Sequence, residues 1–401
     1  MLFSAAVLLS LLPLVLSAPS GHLLDKRAPL LHARSGKVIP GQYIVKFKDE
    51  TSQTVLSAAV GKVKTTHVYK GAFKGFAGSL DSKSLEEVRN LPEVEYVEED
   101  AVVTITDGEV ASKTGSSPRA IVTQLNPPWN LARISSHTLG SNVYKYDSTA
   151  GLGTCAYVLG TGIQINHPQF AGGAVWGANF VDATTTDGNG HGTAIAGIIR
   201  STIYGVAKQT KLVAVKVLNN SGSGTTSGII QALNFVQTDW PTRGCANGVV
   251  AALTFGGGFS AALNSAATNL VNSGIFVTTG VGSSNSQVGG SPASAPAVCS
   301  IGASNSADQV ASFNDYGPLL DLYAPGVTIL TTWINGGTNT LSGTTLAMAH
   351  VAGIGALLLG LPSSLNGATL CDYIKSIATS GVLTGVPPNT NNLLAYNGWD
   401  L

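Results

Sequence analysis

Hydrophobic and polar positions change their rhythm three times along the chain. Residues 3–17 are almost wholly apolar, Phe3-Ser4-Ala5-Ala6-Val7 through Leu16-Ser17, and the run closes on the small residues Ser17 and Ala18. This predicts a signal peptide over 1–18; the competing reading, a membrane anchor, asks for a longer run. Between 38 and 106 the pattern breaks into short alternations. GQYIVKFK predicts a half-buried strand, residues 51–61 a helix, GAFKGFAGSL a second strand, SKSLEEVRNLP a helix with Asp81 at its N-cap, and VEYVEEDAVV a closing strand. The result is a small α+β unit with a β-α-β-β-α-β-like pattern. From 120 onward, continuous apolar runs alternate with helical ones: the strands are CAYVLG, KLVAVKVL, VVAALTF, IFVTTGV and VCSIGAS, the helices 227–240, 260–273, 345–360 and 368–378. Unbroken β-rich runs separated by helices predict an α/β, doubly wound parallel sheet covered on both faces, with any site beyond the carboxyl ends of its strands. The apolar stretch Leu346–Leu361 carries His350 and three glycines, which favours a buried helix over a membrane span.

Composition narrows the function classes. The 401 residues, 44% hydrophobic, suffice for one large core and a smaller one. Lys+Arg and Asp+Glu are both 22, so no basic footprint for nucleic acid exists. The 48 glycines follow no collagen-like period and read as tight turns. Cys155, Cys245, Cys299 and Cys371 lie far apart with no metal-type pair among them, which in an exported chain predicts two disulfides. Asn219-Asn220-Ser221 is a glycosylation sequon. Segments 19–37 and 107–119 read as a spacer and a linker. The first contains Lys26-Arg27, a dibasic pair open to a processing protease; the second, polar from Thr106 to Arg119, is exposed and cleavable.

Three segments carry a resemblance to a known family: CAYVLGTGIQINHPQF, the DGNGHGT block at 187–193, and LSGTTLAMAHVAG at 341–353. NPPWNLARISS, VVAALTFGGG, SPASAPAVCSIGAS and NNLLAYN extend it over most of 120–397. The chain resembles the subtilases, the subtilisin-like serine proteases, of the proteinase K type. The resemblance implies a subtilisin-like domain over 120–401, preceded at 38–106 by a ferredoxin-like propeptide that folds the protease and then plugs its cleft. It also implies peptide-bond hydrolysis by a serine, a histidine base, an orienting aspartate and an oxyanion-binding asparagine. His191 matches the base. The motif DTG, which should hold the aspartate, reads Gly160-Thr161-Gly162; GTSMATPH reads Gly343-Thr344-Thr345-Leu346-Ala347-Met348-Ala349-His350, with Thr345 at the serine's position; and Ser283, in Val281-Gly282-Ser283-Ser284-Asn285, stands where the asparagine belongs. Asp187, four residues before His191, is present in active relatives as well. Asn285 would replace the oxyanion donor only if its loop shifted. Ala194 and Ile195 stand where the family has a histidine and a free cysteine.

The same resemblance implies bridges between Cys155 and Cys245 and between Cys299 and Cys371. It implies calcium at Pro296, Val298 and Asp321, whose oxygens suit a hard cation. Peptide-binding edges are implied at Gly222, Ser223 and Gly224 and at Thr254, Phe255 and Gly256; the same glycine-rich strands would equally well serve only to close the fold. The resulting expectation is a secreted, extracellular, catalytically deficient homologue, its partners being its own propeptide-like domain and peptide or protein segments in the cleft, with no membrane contact once the leader is removed. The alternatives are a slow endopeptidase using Thr345 and His191, and a structural secreted protein without ligand.

Overall fold

The computed structural model describes residues 27–400 except 34–36, 62, 72, 106–107, 110–120 and 362–364. The expected leader, Lys26 and most of the linker, with the processing point expected near Arg119, lie outside the described residues.

In the small unit, strands β1 (Val38–Phe47), β2 (Lys64–Lys70), β3 (Lys74–Ser79) and β4 (Val94–Thr104) form an antiparallel sheet in the order β4-β1-β3-β2. Helices α1 (Gln53–Val60) and α2 (Ser82–Arg89) close one face of it. Period-two alternation decides which side chains go where: Val45 and Phe47 pack with Leu56, Ala59 and Val88, while Ile44 and Ala77 point to the opposite face, against the large unit. Asp81 caps α2 by accepting a hydrogen bond from the Ser84 amide at 2.7 Å. The expected run GAFKGFAGSL supplies β3; β2, KTTHVYK, is an additional strand at the sheet's edge.

The large unit is built on a nine-stranded sheet. Its strands are β5 (Thr154–Gly160), β6 (Ala174–Asn179), β7 (Lys211–Lys216), β9 (Gly248–Leu253), β10 (Phe276–Gly280), β11 (Cys299–Ser304) and β12 (Leu322–Pro325), in the order β6-β7-β5-β9-β10-β11-β12, with two short strands at the far edge. β8 (Ser223–Thr225) lies outside this sheet and pairs with β4. All seven long strands run parallel. Helices α4 (Thr226–Asp239) and α5 (Ala261–Asn272) pack on one face, α3 (His191–Arg200) and α6 (Thr344–Leu359) on the other. α6 is buried at every position, as a helix apolar all round must be, and among the described residues no helix is long and apolar enough to cross a membrane. Disulfides join Cys155 to Cys245 and Cys299 to Cys371, with Cα separations of 5.4 and 5.6 Å, which ties β5 to the entry of β9 and β11 to the helix Leu370–Ile377.

Candidate active site and peptide cleft

The parallel strands deliver their loops to one edge of the sheet. β5 ends at Gly160, β9 runs into Thr254 and β10 into Ser283, while His191 and Thr345 open α3 and α6. Close approach seats α3: a Cβ at Gly192 would fall 2.0 Å from the Gly162 carbonyl oxygen, so the helix start lies directly on the loop that follows β5. His191 Nε2 and Thr345 Oγ1 are 3.0 Å apart, within hydrogen-bond distance, and both residues are buried. The base and the hydroxyl expected from the sequence are therefore brought together.

The carboxylate is not. Gly160 has no side chain, and the room a Cβ would take is filled by Thr254, whose Oγ1 lies 2.4 Å from it. Thr254 is fully buried and its hydroxyl donates to the Leu159 carbonyl at 3.0 Å, so its side chain faces β5. Asp187 is committed elsewhere. Its Oδ1 accepts from Thr161 Oγ1 at 2.8 Å, from the Asn189 amide at 3.1 Å and from the Gly190 amide at 2.9 Å. Its Oδ2 accepts from the Thr193 amide at 2.9 Å and the Thr193 hydroxyl at 2.6 Å. Five donors on one carboxylate, at the positive end of α3, make it the anchor of that helix start. Ala194 and Ile195 point into the apolar core.

Ser283 lines a cavity of about 300 Å³ that also exposes Thr345, Phe255, Gly256 and Asp315. Its Oγ is buried and has no hydrogen-bond partner among the described residues. Asn285 is exposed, with φ of 50°, and does not line the cavity. Two groups escaped the sequence reading. Lys216, buried, donates to the carbonyls of Thr161 at 2.9 Å and Leu218 at 3.1 Å, clamping the loop after Gly160, and burial lowers its pKa. Its signal was a charge inside the apolar run KLVAVKVL. Asp315 gave none, because only the tertiary fold carries it to the cavity.

The cleft holds the chain's own small unit. β4 pairs antiparallel with β8, Thr104 opposite Ser223 and Val103 opposite Gly224. Thr104 exchanges backbone hydrogen bonds of 3.3 and 3.2 Å with Gly256, and the Ile105 amide donates to the Gly222 carbonyl at 3.1 Å. Beyond the cleft Gly108–Glu109 pairs with the strand β13 (Thr338–Ser342). Gly222, Ser223, Gly224 and Gly256 therefore form a sandwich of backbone edges around an extended strand, with Phe255 in the cavity wall.

The expected calcium group is charged from within. Cys299, Asp321 and Cys371 bring ligand-type atoms within 4.8 Å of one another, but both sulfurs are tied up in a disulfide. Asp321 Oδ1 is 2.9 Å from Lys375 Nζ, and Oδ2 accepts from the Ser300 amide at 3.0 Å. Pro296 is exposed and Val298 buried on the segment leading into β11. A divalent cation at Asp321 has to displace an ammonium group, so as they stand these residues fit calcium poorly.

Comparison with known proteins identifies both units of the chain. A model of the subtilase family matches residues 152–399, and one of peptidase inhibitor I9 matches 42–106. The chain is 46% identical over 397 residues to the subtilisin-like serine protease AsES of Sarocladium strictum, covering 98% of both chains. It is 45% identical to a cuticle-degrading protease of Metarhizium anisopliae and 44% to proteinase R of Parengyodontium album, in each case over 98% of this chain and 99% of the relative. A crystal structure of a cold-adapted subtilisin-like serine proteinase superposes with a TM-score of 0.64 at 39% identity, covering 68% of this chain and 98% of that one. With a parallel sheet that presents His191 and Thr345 at its carboxyl edge and an inhibitor-type unit laid along the same cleft, the chain belongs to the subtilase family and carries an I9 propeptide domain ahead of its subtilase domain.

Proposed function

We propose that this protein is a secreted, catalytically deficient subtilase homologue whose cleft holds extended peptide segments, its own propeptide strand first among them. The observation that carries the reading is the commitment of Asp187: its five hydrogen bonds go to the start of α3 and to Thr161, while the position that should supply an orienting carboxylate is Gly160. An imidazolium formed at His191 would have no anion at that position to stabilise it. Thr345 adds a methyl that restricts χ1 where base and carbonyl must both approach, and Ser283 replaces the oxyanion donor by a shorter group. Two disulfides suit an oxidising compartment, which with the leader-like run at 3–17 supports export.

The test is maturation and turnover. The purified full chain should keep a single intact mass on prolonged incubation and show no release of product from a chromogenic peptide. Self-cleavage or turnover that Thr345→Ala abolishes would overturn the proposal. The peptide-binding half has its own measurement. Thr104→Pro removes the amide given to Gly256 and weakens the docked strand, after which a free peptide with the sequence of residues 99–105 should bind, as read by fluorescence anisotropy.

One observation favours a second reading, a slow serine-type endopeptidase: the 3.0 Å contact of His191 Nε2 with Thr345 Oγ1. In it the hydroxyl attacks the peptide carbonyl as His191 takes its proton, and the same proton leaves with the amine. Labelling of Thr345 by a fluorophosphonate, lost in His191→Ala, distinguishes it from the first.

A further inference from the structure

The cavity beside Thr345 carries a charge that neither reading uses. Among the described residues lining it, Asp315 alone is charged; the rest are glycines, small polar residues and the apolar Phe255, Val281, Pro292 and Ala293. Asp315 is only 9% exposed. Its Oδ1 is held by the amides of Ser284 and Ser286 at 3.0 and 2.9 Å and by the Ser286 hydroxyl at 3.2 Å. These bonds fix the carboxylate's orientation. Oδ2 receives no hydrogen bond from the described residues, and it lies against Gly282, where a Cβ would come within 2.3 Å of it. Gly282 has no side chain to stand over that oxygen, and both Gly282 and Asp315 line the same cavity.

A carboxylate oxygen at the edge of a partly desolvated hollow discriminates in two directions. A cationic group entering the hollow gains a charge-assisted hydrogen bond in surroundings that screen it less than water does. A neutral apolar group of the same size covers the oxygen and supplies nothing in return. The hollow, about 300 Å³, is large enough for a long side chain, and Thr104 of the docked strand forms part of its rim, so it opens beside an extended peptide. We infer that this cavity selects a lysine or arginine side chain of the bound peptide, received by Asp315 next to Thr345. The inference rests on reading the cleft as a peptide site.

Benzamidine and its neutral counterpart benzamide test it on the full chain, since both are small enough to enter with the strand docked. Calorimetric titration should show benzamidine binding at least about tenfold more tightly, and Asp315→Asn should erase the difference. Asparagine retains an acceptor for the Ser284 and Ser286 amides, so an unchanged melting temperature will show that the variant folds. Equal affinities, no binding of benzamidine, or a preference that survives Asp315→Asn would each overturn the inference. The reading beneath it fails separately: if the 99–105 peptide binds the Thr104→Pro chain while the benzamidine preference is absent, only the role of Asp315 falls. If benzamidine is preferred but no peptide binds, the cavity is a cation site and the peptide cleft is not its purpose.

Discussion

Gly160 and Thr254 behave as a pair. Gly160 has no side chain at the end of β5, and the buried Thr254 hydroxyl occupies the space one would take, 2.4 Å from where a Cβ would be. Restoring the acid by Gly160→Asp alone then overpacks a closed position and breaks the 3.0 Å bond from Thr254 to Leu159. In subtilisin, itself a family member, loss of the aspartate alone costs about 3 × 10⁴ in turnover, and loss of the oxyanion donor about 10²–10³; these groups act as a unit, so single repairs recover little. We expect Gly160→Asp, Thr345→Ser and Ser283→Asn to be nearly silent singly, and the three together to gain less than a fourfold set that adds Thr254→Ala. Chromogenic peptide turnover by the triple and fourfold sets decides whether Thr254 obstructs. Equal rates would show that the threonine rotates aside without cost.

Helix starts are where the two units grip one another. Asp100 on β4 accepts from the Ser227 amide at 3.1 Å and from its hydroxyl, and so caps α4; Glu98 accepts from the Ala262 amide at 3.0 Å at the start of α5. Each satisfies a donor the helix leaves free and sits at its positive end. Asp100→Ala should lower the urea-unfolding free energy of the full chain by about 1–2 kcal/mol. Another local charge pair leads to a prediction about metal: because Lys375 holds Asp321, EDTA should leave the melting temperature unchanged, and Lys375→Met should make it respond to added calcium. These elements also show what a single chain discloses. The five long apolar runs and four helices were legible because burial on both faces forces continuous hydrophobicity, and the register of CAYVLG with β5 follows directly. β2 was not, because an edge strand such as KTTHVYK keeps its lysines in water and shows little apolar signal. α3 was hidden by its function: Gly, His and Thr at its start read as a motif, and the Asp187 cap that makes it a helix acts through backbone amides no pattern reveals. Thr254 and Asp315 owe their roles to neighbours 94 and 33 positions away, Gly160 and Gly282.

The assembled molecule is a subtilase domain whose cleft holds a strand of its own N-terminal unit, and charges buried where the two meet should make the stability of the folded chain depend on pH. Burial raises the carboxyls of Glu98 and Asp100, and burial lowers the imidazole of His67, which feels the charge of Asp100. Both acids take up protons more readily in the folded chain than in the unfolded one. Their contribution to stability is full below the ordinary carboxylate range and is lost as pH rises through the raised, folded-state values. His67 acts in the opposite sense: the folded chain favours its neutral imidazole, so its contribution to stability is full above the ordinary value of 6.5 and is lost as pH falls through it toward the lowered one. The denaturation midpoint of the full chain should therefore carry two slopes of opposite sign between pH 4 and 8, which the variants tell apart. Glu98→Gln with Asp100→Asn should flatten the slope that falls with rising pH, with the amide oxygens still capping α4 and α5. His67→Asn should flatten the slope that falls on mild acidification. If both variants keep the wild-type profile, these three groups do not set the pH dependence, and the grip between the units comes instead from the apolar face of Ile44, Tyr69, Phe73 and Val103 against α4 and α5.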